Sequence, residues 1–420
     1  MVGWQKALFA ALQVGQGVRE SLTEESVVRL VVCPMRILHL TLAFHRGGRR
    51  TAIERLAAGL AELGVKSELA CLDEIGCPVE EIEQLFGVVK VAGRSRGLRP
   101  RSIELLQKLC RERQIDVVHA HDAASQFAGA LLRRRLSRLR LLMTFHRSLP
   151  IESVRLRDRL RNAYATAKSQ AVIVGSQERR RHFLDANYVP ARKVVRIPFG
   201  VDVARFEPCP ATREAVRQEL RLQPGSVAFA AVGHFGGEKG IDQIVTAFRL
   251  MREKRPGLPV ELIVCGTGSA DQQWRLEQLA GADARVRFLG FRQDVPRLLQ
   301  GADVLVHAPR MEAFGLVLIE GMASGLPVVA TSVGGITDIV VDRETGLLVP
   351  SSHPGALTGA LEKLADDGIL RREMGAAGRE RAIDEYTIRL YAERHRRLYV
   401  DLLQRRPPRG VDEESVKLAP

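Results

Sequence analysis

The sequence predicts an α/β protein built from two facing, doubly wound domains, with a C-terminal helix crossing back over them. Three observations support this. The chain has 420 residues, longer than one ordinary α/β domain and about right for two, each able to bury its own core. Short apolar runs of strand length alternate with helix-length amphipathic stretches from Met35 onward, the pattern of βαβ units and a parallel sheet. That alternation breaks once, where Pro208, Pro210, Pro224 and Gly225 punctuate residues 200–224, and it restarts at Val227.

Taken in order, residues 1–34 do not join the pattern and are read as an extension outside the fold, with Met35 as a candidate start. Arg-Ile-Leu-His-Leu-Thr-Leu then predicts a strand over 36–42 that ends in a glycine turn. A helix over about 49–63, a strand over 65–71, a helix over about 100–113 and strands at 116–119 and 140–144 follow. Ala-Val-Ile-Val-Gly-Ser (171–176) is a further buried strand, and an arginine-rich helix leads to Val-Val-Arg-Ile-Pro-Phe-Gly-Val-Asp (194–202). The first domain is therefore placed at 35–205, with the linker near 200–224. The second domain, 220–385, is expected to run strand 227–232, helix 240–253, strand 259–264, helix 270–280, strand 285–289 and onward. An amphipathic helix over 386–404 packs back across both domains, and the polar, proline-containing residues 405–420 form a frayed tail.

Composition narrows the class of function. Hydrophobic residues at 45% with 27% charged are ordinary for a soluble globular protein, and 5% aromatics argue against a carbohydrate module lined with stacking rings. The six cysteines lie scattered in mostly apolar runs without a Cys-x-x-Cys pair, so reduced core thiols are expected and a zinc site is not. No apolar run reaches 18 residues and residues 1–35 lack the apolar centre of a secretory signal, which points to the cytoplasm. The net charge of +14, carried mainly by arginine, favours an anionic partner: nucleic acid, an anionic membrane or an anionic substrate. Nucleic acid is disfavoured by the lack of interleaved aromatics or a helix-turn-helix pattern.

Open α/β sheets bind ligands beyond the carboxyl ends of their strands, so the loops there hold the candidate site. After the predicted strand 304–307 comes Glu312-Ala-Phe-Gly-Leu-Val-Leu-Ile-Glu320. Residues eight apart stand about 80° apart around a helix of 3.6 residues per turn, so the two glutamates cannot share one narrow helical face. Glu312 thus belongs to the loop and Glu320 lies two turns into the helix, with the free N–H groups of Phe314, Gly315, Leu316 and Val317 between them. Helix-start amides attract phosphate and carboxylates accept from hydroxyls, so this set can hold a nucleoside diphosphate. Spacing alone fits a pair of solvated surface glutamates equally well. The segments C-terminal to them are more specific: Gly-Met-Ala-Ser-Gly-Leu-Pro-Val-Val-Ala-Thr (321–331), Gly334-Gly335 and Thr345-Gly-Leu-Leu-Val349.

This ordered series resembles the family 4 retaining glycosyltransferases with the GT-B fold, two facing Rossmann-like domains, over roughly residues 35–400. The resemblance implies transfer of a sugar from a nucleoside-diphosphate sugar, with no cofactor and no metal. It places Glu312 beside the transferred sugar and Glu320 on the nucleotide ribose. In Gly233-His-Phe-Gly-Gly-Glu-Lys239, Lys239 matches the lysine that pairs with the diphosphate and stabilises its departing charge, while His234 stands where family members usually have arginine. The loop His45-Arg-Gly47-Gly48-Arg49-Arg50 matches one that closes over donor and acceptor, and paired glycines let amides approach phosphate. His146, ending Thr144-Phe-His, matches a histidine near the reacting sugar; His121 and Asp122 of Val-Val-His-Ala-His-Asp are candidates for the acceptor side, with Arg49. Phe291 falls where the base is recognised, and Phe199 stands where asparagine is common.

Arg133, Arg134, Arg135, Arg138, Arg140, Arg147, Arg155, Arg157, Arg159, Arg161, Arg179, Arg180 and Arg181 give the first domain its basic excess. Such a face suits either a plain solubilising surface or anionic lipid headgroups; the second gives peripheral binding at the inner face of the plasma membrane and a lipid-linked or lipopolysaccharide-type glycan acceptor. The competing reading is a non-catalytic sugar-nucleotide-binding subunit.

Overall fold

Two parallel sheets organise the chain. The computed structural model describes residues 35–87, 89–91, 100–146, 156–185 and 189–408. The expected extension 1–34, most of the tail, and Arg147 and Arg155 lie outside the described residues. The first sheet holds β1 (Arg36–Thr41), β2 (Lys66–Cys71), β3 (Val89–Val91), β4 (Val117–Ala120), β5 (Arg140–Phe145), β6 (Ala171–Val174) and β7 (Val194–Arg196). Their order is β3-β2-β1-β4-β5-β6-β7, every pair parallel. The second holds β8 (Val227–Val232), β9 (Val260–Cys265), β10 (Val286–Phe288), β11 (Val304–His307), β12 (Val328–Thr331) and β13 (Gly346–Val349) in the order β10-β9-β8-β11-β12-β13, again parallel throughout. In each sheet the order reverses beside the first strand, at β1/β4 and β8/β11, and the crevice at such a reversal is where doubly wound folds bind ligands.

Crossover helices cover both faces of each sheet, so the strands read as near-continuous apolar runs. In the second domain Phe229, Val264, Val306 and Val329 pack against Ile244 and Phe248, all fully or almost fully buried. Burying a side chain such as Phe248 contributes about 1.5–3 kcal/mol. Cys71, Cys110 and Cys265 are buried free thiols.

The stretch 200–224, expected as linker, is only partly one. Pro210–Glu219 is a helix, started by Pro210 at a position where the missing N–H and fixed φ suit the first turn. Its Val216, with Leu220 and Leu222 beyond it, packs on Ala228, Ile263 and Leu298, while Arg213 and Arg217 reach Asp303 at 2.6 and 3.1 Å. This helix therefore belongs to the second domain. A further long helix, Gly368–Glu385, precedes the crossover helix, which spans Ile388–Leu403.

The crossover helix buries Tyr391, Ala392, His395, Leu398, Tyr399 and Leu402, a stripe of helical period. It lies against the first-domain helix Gly48–Glu62 where Gly59 allows close approach: a Cβ there would stand 2.7 Å from the Ala392 Cβ. It also bears on a polar patch. His39 and Thr41 on β1, His119 and His121 at and just beyond β4, and Thr144 on β5 are all buried, alternate positions placing them on a common face. His119 Nδ1 is 2.8 Å from the Tyr399 hydroxyl and its Nε2 is 2.6 Å from Thr144 Oγ1.

Candidate active site

Between the carboxyl ends of the two sheets lies a cleft of about 1310 Å³, and every site residue named from the sequence lines it, from Gly47, Gly48, Arg49, His121, Asp122 and His146 on one side to His234, Lys239, Phe291, Glu312 and the Phe314–Glu320 segment on the other.

On the second-domain wall, Glu312 sits in the loop after β11, ahead of the Leu316–Ala323 helix. Its Oε2 accepts from Lys239 Nζ at 2.8 Å and lies 3.0 Å from His307 Nε2, which a carboxylate partner requires to be an N–H donor; its Oε1 accepts from the Ala313 amide at 3.1 Å. Burial by itself would raise the Glu312 pKa, but His307, by hydrogen bond and charge, and Lys239 outweigh it and hold the carboxyl at about 2. The Gly334-Gly335 turn explains itself here. Gly334 has φ +55°, and a Cβ on it would lie 1.9 Å from the Glu312 carbonyl oxygen, so only glycine lets this turn pack under the glutamate loop. Gly315, at φ +104°, precedes the helix and leaves its first amides unpaired by any capping side chain.

His234 Nδ1 accepts the Gly236 amide at 2.9 Å, so its proton is on Nε2 and it braces its own loop. Arg310 braces the same loop from outside, donating to the Gly237 carbonyl and to Asp242. Arg46, Arg49 and Arg55 line the cleft from the first domain and Arg292 from the second.

Two first-domain arginines, Arg55 and Arg46, reach across the cleft. Arg55 donates to Glu320 Oε1 at 2.5 Å and to the Gly200 carbonyl at 3.0 Å, with both charged side chains largely buried. Arg46 holds its guanidinium 4.8 Å from the centre of the half-exposed Phe291 ring. Neither arginine was singled out from the sequence, nor was His307. A signal for Arg55 existed: it shares a helical stripe with buried Ala52 and Gly59, where an apolar residue is expected. His307 likewise ends the apolar run Val-Leu-Val.

On the first-domain wall, His146 follows β5, stacks on Phe199 at 5.4 Å, and is burdened by burial and then by the Arg49 charge, which together push its pKa down to about 3. Phe199 in turn packs edge-on against Phe314 across the cleft, so the phenyl ring in the usual asparagine position is a packing element. His121 is almost fully buried at the base of the cleft, its Nδ1 3.1 Å from His146 Nε2. Asp122 caps the Ala123–Arg135 helix through Ser125 and accepts from Thr41 Oγ1 at 2.8 Å and the Leu42 amide at 2.6 Å, so its oxygens are engaged in holding the strand ends. The Gly47-Gly48 loop faces the Leu316–Ala323 helix: a Cβ on Gly48 would stand 3.5 Å from Leu316 Cδ1. Of the basic face, Arg157, Arg159 and Arg161 are exposed on the Leu156–Lys168 helix beside exposed Leu160, whereas Arg179 is buried.

Residues 212–381 match the family model Glycosyl transferases group 1 and residues 46–205 match Glycosyltransferase Family 4. The chain is 32% identical over 396 residues to a D-inositol 3-phosphate glycosyltransferase of Corynebacterium diphtheriae, a match covering 84% of this chain and 90% of that one. Among solved structures, Anabaena HepE in complex with UDP-glucose superposes with a TM-score of 0.76 at 22% identity, covering 88% of this chain and 100% of that one. WaaG, a glycosyltransferase involved in lipopolysaccharide biosynthesis, superposes with a TM-score of 0.69 at 20% identity over 87% and 99% of the two chains. The structural matches establish a shared GT-B fold, and with the sequence kinship over both halves they make this chain a family 4 glycosyltransferase.

Proposed function

We propose that the enzyme transfers a sugar from a nucleoside-diphosphate sugar to an acceptor hydroxyl with retention of anomeric configuration and without a metal or cofactor. The second domain, which begins with the Pro210–Glu219 helix, forms the donor side and residues 35–205 the acceptor side. The observation that carries this reading is Glu312, a largely buried carboxylate kept ionised between Lys239 and His307 and opening on the same cleft as His146. A carboxylate with a pKa of about 2 is no proton donor at neutral pH; it accepts from sugar hydroxyls and favours positive charge developing at the anomeric carbon. Lys239 and the amides at Phe314–Val317 face the diphosphate, Glu320 the ribose, Phe291 the base. As the anomeric carbon–oxygen bond breaks, the leaving phosphate oxygen takes up the acceptor proton on the same face where the new bond forms. Positioning and charge stabilisation then supply most of the rate.

For the acceptor, the exposed arginines around Leu160 favour a glycolipid or lipopolysaccharide-type glycan at the inner membrane surface. A second acceptor, a small phosphorylated polyol, is favoured by the name of the Corynebacterium relative and by Arg159, which lines the cleft. Among the described residues no helix is long and apolar enough to cross a membrane.

The test is a thermal-shift panel of UDP-, GDP- and ADP-sugars, followed by transfer assays with the stabilising donor in EDTA and NMR of the product anomer. Inversion, or activity abolished by EDTA and restored by a divalent ion, overturns the mechanism. Liposome co-sedimentation with no dependence on anionic lipid removes the membrane acceptor.

A further inference from the structure

Behind His146 the first domain carries more histidine than the transfer reaction uses. His39 Nδ1 lies 3.0 Å from His121 Nε2, and His121 Nδ1 lies 3.1 Å from His146 Nε2, making a single file of three rings from the buried middle of β1 to the cleft. His39 is fully buried and His121 nearly so. At the inner end, His39 Nε2 has no hydrogen-bond partner. At the outer end, His146 Nδ1 has no protein partner among the described residues, and the ring lines the cleft.

Proton counting restricts this file severely. A neutral imidazole has one N–H and one lone pair, and burial keeps all three rings uncharged at neutral pH. If His121 carries its proton on Nδ1, it donates to His146 Nε2 and must accept from His39 Nδ1–H. If instead it carries the proton on Nε2, His39 and His146 must also be Nε2–H. The rings therefore share one tautomer. The second arrangement strands a buried N–H at His39 Nε2, whereas the first leaves only a lone pair there, and a buried orphan N–H is the rarer defect in proteins. Nearby His395 shows the same preference: its Nδ1 donates to the Tyr391 carbonyl at 2.9 Å, which leaves its own buried, unpartnered Nε2 as a lone pair.

We infer that His39 and His121 are positioning residues that lock His146 as the Nδ1–H tautomer, so that it offers the cleft a hydrogen-bond donor. This rests on the reading of the cleft as the transfer site, and the ligand it addresses is an oxygen of the transferred sugar or of the acceptor. The same neighbourhood, His39, His119 and His121, brings one ring nitrogen from each within 4.8 Å, as a metal site would. Both nitrogens of His119 and both of His121 already have hydrogen-bond partners, which favours the relay over a metal.

The experiment is ¹⁵N NMR of the full chain labelled at histidine, with rings assigned by single substitutions, beside kinetics of His39→Leu and His39→Asn. The expected spectrum shows His39, His121 and His146 all as Nδ1–H. Leucine removes the donor to His121 and is expected to lower kcat about tenfold with the donor KM unchanged. Asparagine, whose amide N–H stands where the Nδ1–H stood, is expected to restore most of that loss. An Nε2–H signal for His146, equal losses in the two variants, unchanged kinetics in both, or one bound metal per chain would each overturn the relay. Should the wild type turn over no donor sugar, the functional reading fails while the NMR spectrum still decides the tautomer.

Discussion

Mild acid is expected to unfold this enzyme well above the range where carboxylates titrate. His39, His119, His121 and His395 are buried in the neutral form and His146 is part-buried at the cleft wall, with His39 and His146 held near 3, His395 near 4, and the other two well below the ordinary 6.5. Burial is the first cause in each, and the groups that face them, Arg49 beside His146 and Arg394 beside His395, add repulsion of the charged form. Tyr391 and Tyr399 pack against the same rings. The sign is set by linkage. These groups bind protons in the unfolded chain below 6.5 but not in the folded one until about 3–4, so stability is complete above 6.5 and falls as pH drops through that window. At pH 5.5 each histidine protonated only when unfolded costs about 1.4 kcal/mol, and five such groups cost about 7 kcal/mol, comparable with the whole stability of a domain. Glu312 contributes nothing there, because its stabilisation is present above 4.5 and lost only toward 2. Urea unfolding followed by circular dichroism at pH 7.5 and 5.5 measures the difference. A loss below about 2 kcal/mol would refute the reasoning, as would a His395→Gln protein that loses as much between the two pH values as the wild type.

At the site, Glu312→Gln should lower kcat by about a thousandfold while nucleotide binding survives, whereas Lys239→Ala should also weaken nucleoside-diphosphate binding about tenfold; calorimetry beside initial rates separates the two, and wild-type turnover in Glu312→Gln would dismiss its role. Gly334→Ala places a methyl group against the Glu312 backbone at a left-handed φ, so activity should fall at least about a hundredfold with circular dichroism unchanged, and an active variant would show the turn can yield. Arg55→Leu leaves Glu320 largely buried without its charge partner; the expected loss is about 2–3 kcal/mol in unfolding free energy, together with a severalfold change in donor KM, and unchanged melting and KM would make the pair dispensable.

The sequence by itself determined most of the strands, though not the short edge strand Val89–Val91, and with them the doubly wound character and the second-domain cleft loops. Those features are local: an apolar run of strand length is legible in place, and Lys239 and Glu312 lie in loops beyond strand ends, where any doubly wound sheet exposes its ligand loops, with Glu320 in the helix that follows. The Gly334-Gly335 turn is legible in the same way, as a glycine pair, although its contact with Glu312 is not. What only the tertiary structure decided were the partners. Arg55 meets Glu320 across 265 residues, and His119 meets Tyr399 across 280, distances over which no periodicity or spacing carries information. Nor did spacing reveal that Asp122 spends its oxygens on strand ends, or that the supposed linker holds a helix whose apolar face needs the second sheet. A side chain's pKa and tautomer depend on what surrounds it, and for His146 and the two rings behind it that surrounding is assembled only when β1, β4, β5 and the crossover helix close on one another.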